Sequence, residues 1–307
     1  MLGEVLTAIV TPFAPDGSVN LERFRELARH LIESGSDGLV VAATTGESPT
    51  LTDGERLELF AAAVDEVGDR ATVIAGTGTY STAHSVHLTE RAHEVGVDGF
   101  LVVTPYYNKP PARGVVEHFK AVAAVSDRPI VVYNIPGRVV VNLEPETICE
   151  LAEIPTVTAV KQANDDLEQA RQILAETDLD LYAGDDNLIH PFLQLGGVGG
   201  VCVHTHVFGP QVKEMIRRFR AGDESEAKRI DEELEPAYDI LKAVVNPIGI
   251  KAALNLLGFD VGGHRLPLVD PTDAELERIR AALERAGRLA PRTGVDAESA
   301  AAPLPAP

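Results

Sequence analysis

Cysteine is scarce: Cys149 and Cys202 are the only two in 307 residues. That excludes a disulfide framework and points to a reducing compartment. A basic excess is also missing, since 27 Lys and Arg face 47 Asp and Glu for a formal charge of -20. Such a field repels nucleic-acid backbones and anionic membrane surfaces, so neither is expected as a partner. No apolar run approaches the roughly 20 residues of a membrane helix. The opening Met1-Leu-Gly-Glu-Val5 carries no basic segment and no apolar core of a secretory signal, so a cytoplasmic protein is expected.

Several chemical signatures are absent too. Gly76-Thr-Gly78 lacks the third glycine of a dinucleotide fingerprint and has Ser81 in its place. Gly46-Glu-Ser-Pro-Thr50 is not a nucleophile elbow. Nine histidines, among them His190, His204 and His206, include no H-E-x-x-H pair and sit beside no cysteine cluster. There is no Walker loop. Neither a metal nor a cofactor is expected.

What is present is a regular alternation in a chain that is 45% hydrophobic. Short β-branched runs fall at residues 6–10, 38–41, 71–75, 99–103, 129–133, 157–160, 181–183 and 199–203. Amphipathic stretches lie between them, such as residues 21–33, 55–67, 83–95 and 114–125. Thr52-Asp-Gly-Glu55 reads as a capping box, and Pro145 suits a first helical turn. Eight βα units predict a closed α/β architecture, the (β/α)8 TIM barrel, over residues 1–222; a doubly wound sheet is the alternative. Beyond residue 222 only helical patterns remain, over 225–244, 248–257 and 273–286, which predicts a C-terminal helical extension over 223–288. Residues 289–307 are rich in Ala and Pro and are expected to be a disordered tail.

Barrel chemistry sits at the carboxyl ends of the strands. Those ends carry Thr44 and Thr45, Gly76-Thr-Gly78, Tyr106 and Tyr107, Tyr133 and Arg138, Lys161, Gly184-Asp-Asp186 and His204. Lys161 ends Val157-Thr-Ala-Val160, a run expected to be buried on both faces, and alternation groups it with Val157 and Ala159 toward the lumen. It is either a lysine snorkelling into solvent or a nucleophilic amine that adds to a keto group. Nucleophilic work needs a water-poor setting, because a free lysine is almost fully protonated at neutral pH. Tyr133 on the adjacent strand is a core aromatic or a proton carrier. The two threonines are ordinary strand-end hydroxyls or substrate ligands, and Arg138 is a solvated loop charge or a carboxylate clamp.

Together, Thr44-Thr-Gly-Glu-Ser48, Thr104-Pro-Tyr-Tyr-Asn108, Tyr133-Asn-Ile-Pro-Gly-Arg138, Val160-Lys161 and Gly184-Asp-Asp186 resemble the dihydrodipicolinate synthase / N-acetylneuraminate lyase family. The resemblance runs over residues 4–288. Thr44-Thr45, Tyr107 and Arg138 resemble its synthase branch more than the sialic acid lyases or keto-deoxy-sugar aldolases. It implies condensation of pyruvate with L-aspartate-4-semialdehyde in diaminopimelate and lysine biosynthesis, by a homotetramer built as a dimer of dimers. Carried over by position, Lys161 forms the Schiff base and Tyr133 is its general acid and base. Thr44 and Tyr107 complete a proton relay, with Tyr107 supplied by a neighbouring subunit. Thr45 holds the pyruvate carboxylate, Arg138 the semialdehyde carboxylate, and Gly184 and Val201 line the pocket. Two alternatives stay open, a related class I pyruvate aldolase using another aldehyde or sugar acid, and a non-catalytic regulatory paralogue. Ala43, Val139-Val140, Gln162, Cys202 and His204 depart from the family pattern.

Overall fold

The structure, a computed structural model, describes residues 2–291. Eight parallel strands close into a barrel in chain order. They are β1 (Val5–Ala8), β2 (Gly38–Val41), β3 (Thr72–Gly76), β4 (Gly99–Val103), β5 (Ile130–Asn134), β6 (Val157–Gln162), β7 (Asp180–Ala183) and β8 (Gly199–Cys202). β8 returns to β1, with Leu6 opposite Val201.

The outer layer comprises α1 (Leu21–Glu33), α2 (Asp53–Val67), α3 (Thr82–Val95), α4 (Ala112–Ala123), the one-turn α5 (Pro136–Val139), α6 (Pro145–Ala152), α7 (Leu167–Glu176), α8 (Ile189–Leu195) and α9 (Thr205–Arg220). The expected capping box forms: Thr52 N–H donates to Glu55 Oε2 at 2.8 Å and Glu55 N–H to Thr52 Oγ1 at 3.3 Å. Pro145 opens α6, where its missing N–H costs nothing.

Two apolar clusters follow from strand alternation. Leu6, Val40, Ile74, Leu101 and Val131 fill the lumen, while the opposite strand faces pack beneath the helices. One expectation fails on β6. Ile130 pairs with Val157, but its neighbour Val131 pairs with Ala159, so Thr158 is an extra, exposed residue. The irregularity reverses the alternation: Val157 packs outside with Val160, and only Ala159 shares the lumen side with Lys161. The run is therefore not buried on both faces.

The C-terminal helices are α10 (Glu224–Glu233), α11 (Glu235–Ala243), α12 (Ile248–Leu256) and α13 (Asp273–Arg285). The single helix expected over 225–244 is two, because Pro236 has no N–H to donate and fits only a first turn. Leu289 still packs against the core. Of the tail expected over 289–307, residues 292–307 lie outside the described residues.

Two buried histidines give the fold a dependence on pH. His206 Nε2 accepts from Val10 N–H at 3.2 Å and its Nδ1 lies 2.7 Å from Val203 O, a pairing that selects the neutral ring. Burial pulls the pKa of both His206 and His118 down to about 4. A histidine with a lowered folded pKa binds fewer protons folded than unfolded. Its stabilisation is present above about 6.5 and is lost as pH falls from there toward 4. Unfolding free energy should thus decline on acidification through that window. In His118→Gln, denaturant titrations should give a slope shallower by up to about 1.4 kcal/mol per pH unit. An unchanged slope would show that His118 titrates normally.

Candidate active site

A cavity of about 300 Å³ opens at the carboxyl ends of the strands. Thr44, Thr45, Tyr133, Arg138, Lys161 and Gly184 all line it. Six of the eight sequence-predicted positions therefore converge, from four different βα units.

Lys161 and Tyr133 are register partners on β6 and β5, so neighbouring strands deliver them at one level. Both are buried, and Lys161 Nζ lies 4.3 Å from the Tyr133 ring centroid. The lysine does not snorkel into solvent. Ala159 lies below it on β6 in the apolar lumen cluster, and Tyr182 of the same cluster is its register partner on the neighbouring β7. Gly184 reaches this level because it lacks a side chain: a Cβ there would stand 2.6 Å from the Ala163 Cβ. Its N–H donates to Gln162 O at 2.7 Å, tying the end of β7 to the strand that carries the lysine.

Arg138 sits at the exposed mouth, and its Nη2 donates to Asn246 O at 3.1 Å. Thr45 is buried, with its hydroxyl accepting from Asn246 Nδ2 at 3.0 Å. Val201 is part of the apolar lumen with Tyr133 and Ala159 and is not among the residues lining the cavity. Tyr107 stands apart. It is 91% exposed, has a left-handed φ of 71°, and does not line the cavity within this chain.

Sequence reasoning missed Asn246, Lys242, Tyr238 and Leu241, which close the cavity from the extension. It looked only at strand ends, and these residues are on no strand. The Asn246-Pro247 step was a visible helix interruption between α11 and α12. Nothing local said that it folds back over β2.

Among the departures from the family pattern, Gln162, Cys202 and His204 have clear local settings. Gln162 is fully buried in an amide network: Asn134 Nδ2 donates to its Oε1 at 3.1 Å, and its Nε2 donates to Asn164 Oδ1 at 3.0 Å. Val139 is buried whereas Val140 is exposed at a φ of 71°. Cys202 faces outward beneath the helices, and burial pushes its thiol well up, so it stays protonated. His204 contacts Asp186. Burial alone would raise the Asp186 carboxyl, but the imidazole and the N–H groups of His204 and Val203 outweigh it and hold the carboxyl low.

Asp186, Cys202 and His204 bring three potential metal-ligand atoms within 4.8 Å of one another. Asp186 Oδ1, however, already accepts from Val203 N–H and His204 N–H at 2.7 Å each and touches His204 Nδ1. The carboxylate is an anchor for the end of β8.

A closed barrel that presents a buried amine beside a buried phenol is a lysine-bearing barrel enzyme of the lyase class. The chain belongs to the dihydrodipicolinate synthetase family, whose model matches residues 1–286. It is 48% identical over 286 residues to a 4-hydroxy-tetrahydrodipicolinate synthase from Desulforudis audaxviator, covering 92% of this chain and 97% of the relative. Among solved structures it is similar to the Cyanidioschyzon merolae enzyme crystallised with lysine bound. That match has 44% identity, a TM-score of 0.92, and covers 94% and 99% of the two chains. It is also similar to the chloride-inhibited dihydrodipicolinate synthase of Acinetobacter baumannii complexed with pyruvate. There the identity is 34%, the TM-score 0.91 and the coverage 94% and 100%. Among the described residues no helix is long and apolar enough to cross a membrane.

Proposed function

We propose that this enzyme condenses pyruvate with L-aspartate-4-semialdehyde to form 4-hydroxy-tetrahydrodipicolinate, through a Schiff base on Lys161. The observation that carries the reading is the Lys161 amine over Tyr133 at the base of a cavity whose mouth bears Arg138. The Lys161 amine adds to the pyruvate keto carbon and water leaves, giving an iminium. Loss of a methyl proton gives the enamine, whose carbon attacks the aldehyde, and the new alkoxide takes a proton. The amino group of the semialdehyde then adds to the iminium carbon, closing the ring and expelling the Lys161 amine. The iminium is the electron sink, so the reaction requires no metal or organic cofactor.

Tyr133 carries protons to and from the reacting centre, and Thr44 and Tyr107 relay them. Thr45 holds the pyruvate carboxylate, and Gly184 and Val201 shape the space around the iminium. Tyr107 projects from its own chain toward solvent, which suits a residue that completes a neighbour's site in a dimer of dimers. Residues 1–222 form the catalytic barrel and 223–288 the extension that roofs it, in a cytoplasmic enzyme of diaminopimelate and lysine biosynthesis.

A coupled assay with pyruvate and the semialdehyde tests the reaction. Turnover with this pair should far exceed that with pyruvate and other aldehydes or sugar acids, and the reverse ranking would replace the second substrate. Arg138→Ala should lose roughly 10- to 100-fold in kcat/KM for the semialdehyde, the worth of one charge-assisted carboxylate pair, while pyruvate trapping survives. Equal weakening toward both substrates would make Arg138 structural.

Mixing Tyr107→Phe with Lys161→Ala under subunit exchange should restore part of the activity, because one site of each hybrid dimer is intact. No recovery would place Tyr107 in the site of its own subunit.

A further inference from the structure

We infer that the buried Glu47–Lys251 ion pair is the positioning device through which the C-terminal extension holds the Thr44–Thr45 loop in register with Lys161. The inference rests on the Schiff-base reading above and assigns a function to two residues that touch neither the cavity nor a substrate.

The loop after β2 is short of regular support. Glu47 occupies the left-handed region at a φ of 56°, which a side chain rarely adopts, so contacts must hold it there. Its backbone N–H donates to Thr44 O at 3.1 Å, so wherever Glu47 goes, Thr44 follows. The next residue repeats the link, with Ser48 N–H donating to Ala43 O at 3.2 Å. The orientation of Thr44 is thus set through the backbone of Glu47.

The side chain of Glu47 is anchored entirely by the extension. Oε1 accepts from Lys251 Nζ at 2.9 Å, and Oε2 accepts from Arg265 N–H at 3.2 Å. Both side chains of the ion pair are wholly buried, at 0% exposure. Lys251 Nζ also donates to Thr11 O at 3.0 Å and to Gly263 O, and it stands 4.4 Å from the Phe13 ring centroid. Thr11 closes the circuit, its hydroxyl donating to Gly46 O at 2.7 Å. One ammonium therefore joins the loop after β1, the loop after β2 and α12.

A buried ion pair is a poor choice for stability alone, because desolvating both charges offsets much of their attraction, and apolar replacements are often as stable. What it supplies is uniqueness: one carboxylate, one ammonium and fixed partners admit one arrangement. That specificity is placed three residues from Thr44, with Asn246 of the same extension holding Thr45 at 3.0 Å.

The test uses the full chain with Glu47→Gln, and with Glu47→Gln/Lys251→Met, which removes both charges and so avoids an unpaired one. Hydrogen exchange should accelerate in residues 44–51 and not in the barrel strands. kcat should fall about 10- to 100-fold, as for a small misplacement of a reacting group, while borohydride trapping of pyruvate on Lys161 is retained. A role confined to stability would lower the melting temperature without changing kcat per folded site or the exchange pattern, and would overturn the inference. So would parallel loss of trapping and turnover. If the unmodified protein is not trapped at all, the Schiff-base reading fails, and exchange over residues 44–51 still decides whether the pair holds the loop.

Discussion

Lys161→Ala should be inactive, with turnover reduced by at least roughly 10⁴-fold, because the other amine lining the cavity, Lys242, is exposed on α11 and not seated beside Tyr133. Covalent catalysis divides one difficult carbon–carbon bond formation into steps that each pass through the iminium, so loss of the amine removes the route. The fold should persist: the side chain lines the cavity, and its strand is paired along its length with β5 and β7. Borohydride added with pyruvate should leave a stable adduct on the peptide bearing Lys161 and on no other lysine. The contrast with Lys251 is informative, since that amine is wholly buried and committed to Glu47. Normal turnover in Lys161→Ala, or an adduct elsewhere, would end the mechanism.

Tyr133→Phe should lower kcat by about 10²- to 10⁴-fold, the usual worth of a positioned acid or base. The substitution is clean. Phenylalanine keeps the ring 4.3 Å beneath Lys161 Nζ and its packing in the lumen, so only the hydroxyl is lost. Adduct formation should slow with condensation, because water must leave the carbinolamine with a proton. A variant with unaltered kcat would reduce Tyr133 to a core aromatic, the bland alternative that its burial also permits. Thr44→Val should act in the same direction if the relay is right, and comparing the two would show whether their losses are additive.

The barrel was legible because its signals are local. A strand buried beneath helices must be apolar over four or five residues, and a helix covering it must be amphipathic, so eight alternations declare themselves in order. The place of the candidate site was legible for a related reason. Strand ends in a barrel point to one place, so Lys161, Tyr133, Thr44, Thr45, Arg138 and Gly184 could be brought together before any distance was known. Where the pattern misled, a backbone irregularity was at work: the extra residue at Thr158 reverses a face, and alternation cannot register an insertion that the partner strand alone reveals.

The amino-acid sequence by itself determined the strand and helix order, the end of the barrel where the candidate residues gather, and the placing of Lys161 at a strand end. These follow from periodicities of a few residues and from a topology that admits few alternatives. The tertiary structure alone decided which distant residues hold the loops around the site. Asn246 reaches Thr45 across 201 positions and Lys251 reaches Glu47 across 204. No local pattern encodes such pairings. They arise when α11 and α12 fold over the carboxyl end of the barrel, and each partner is specified only by the charge or hydrogen-bonding atom that the other would otherwise leave buried and unmet.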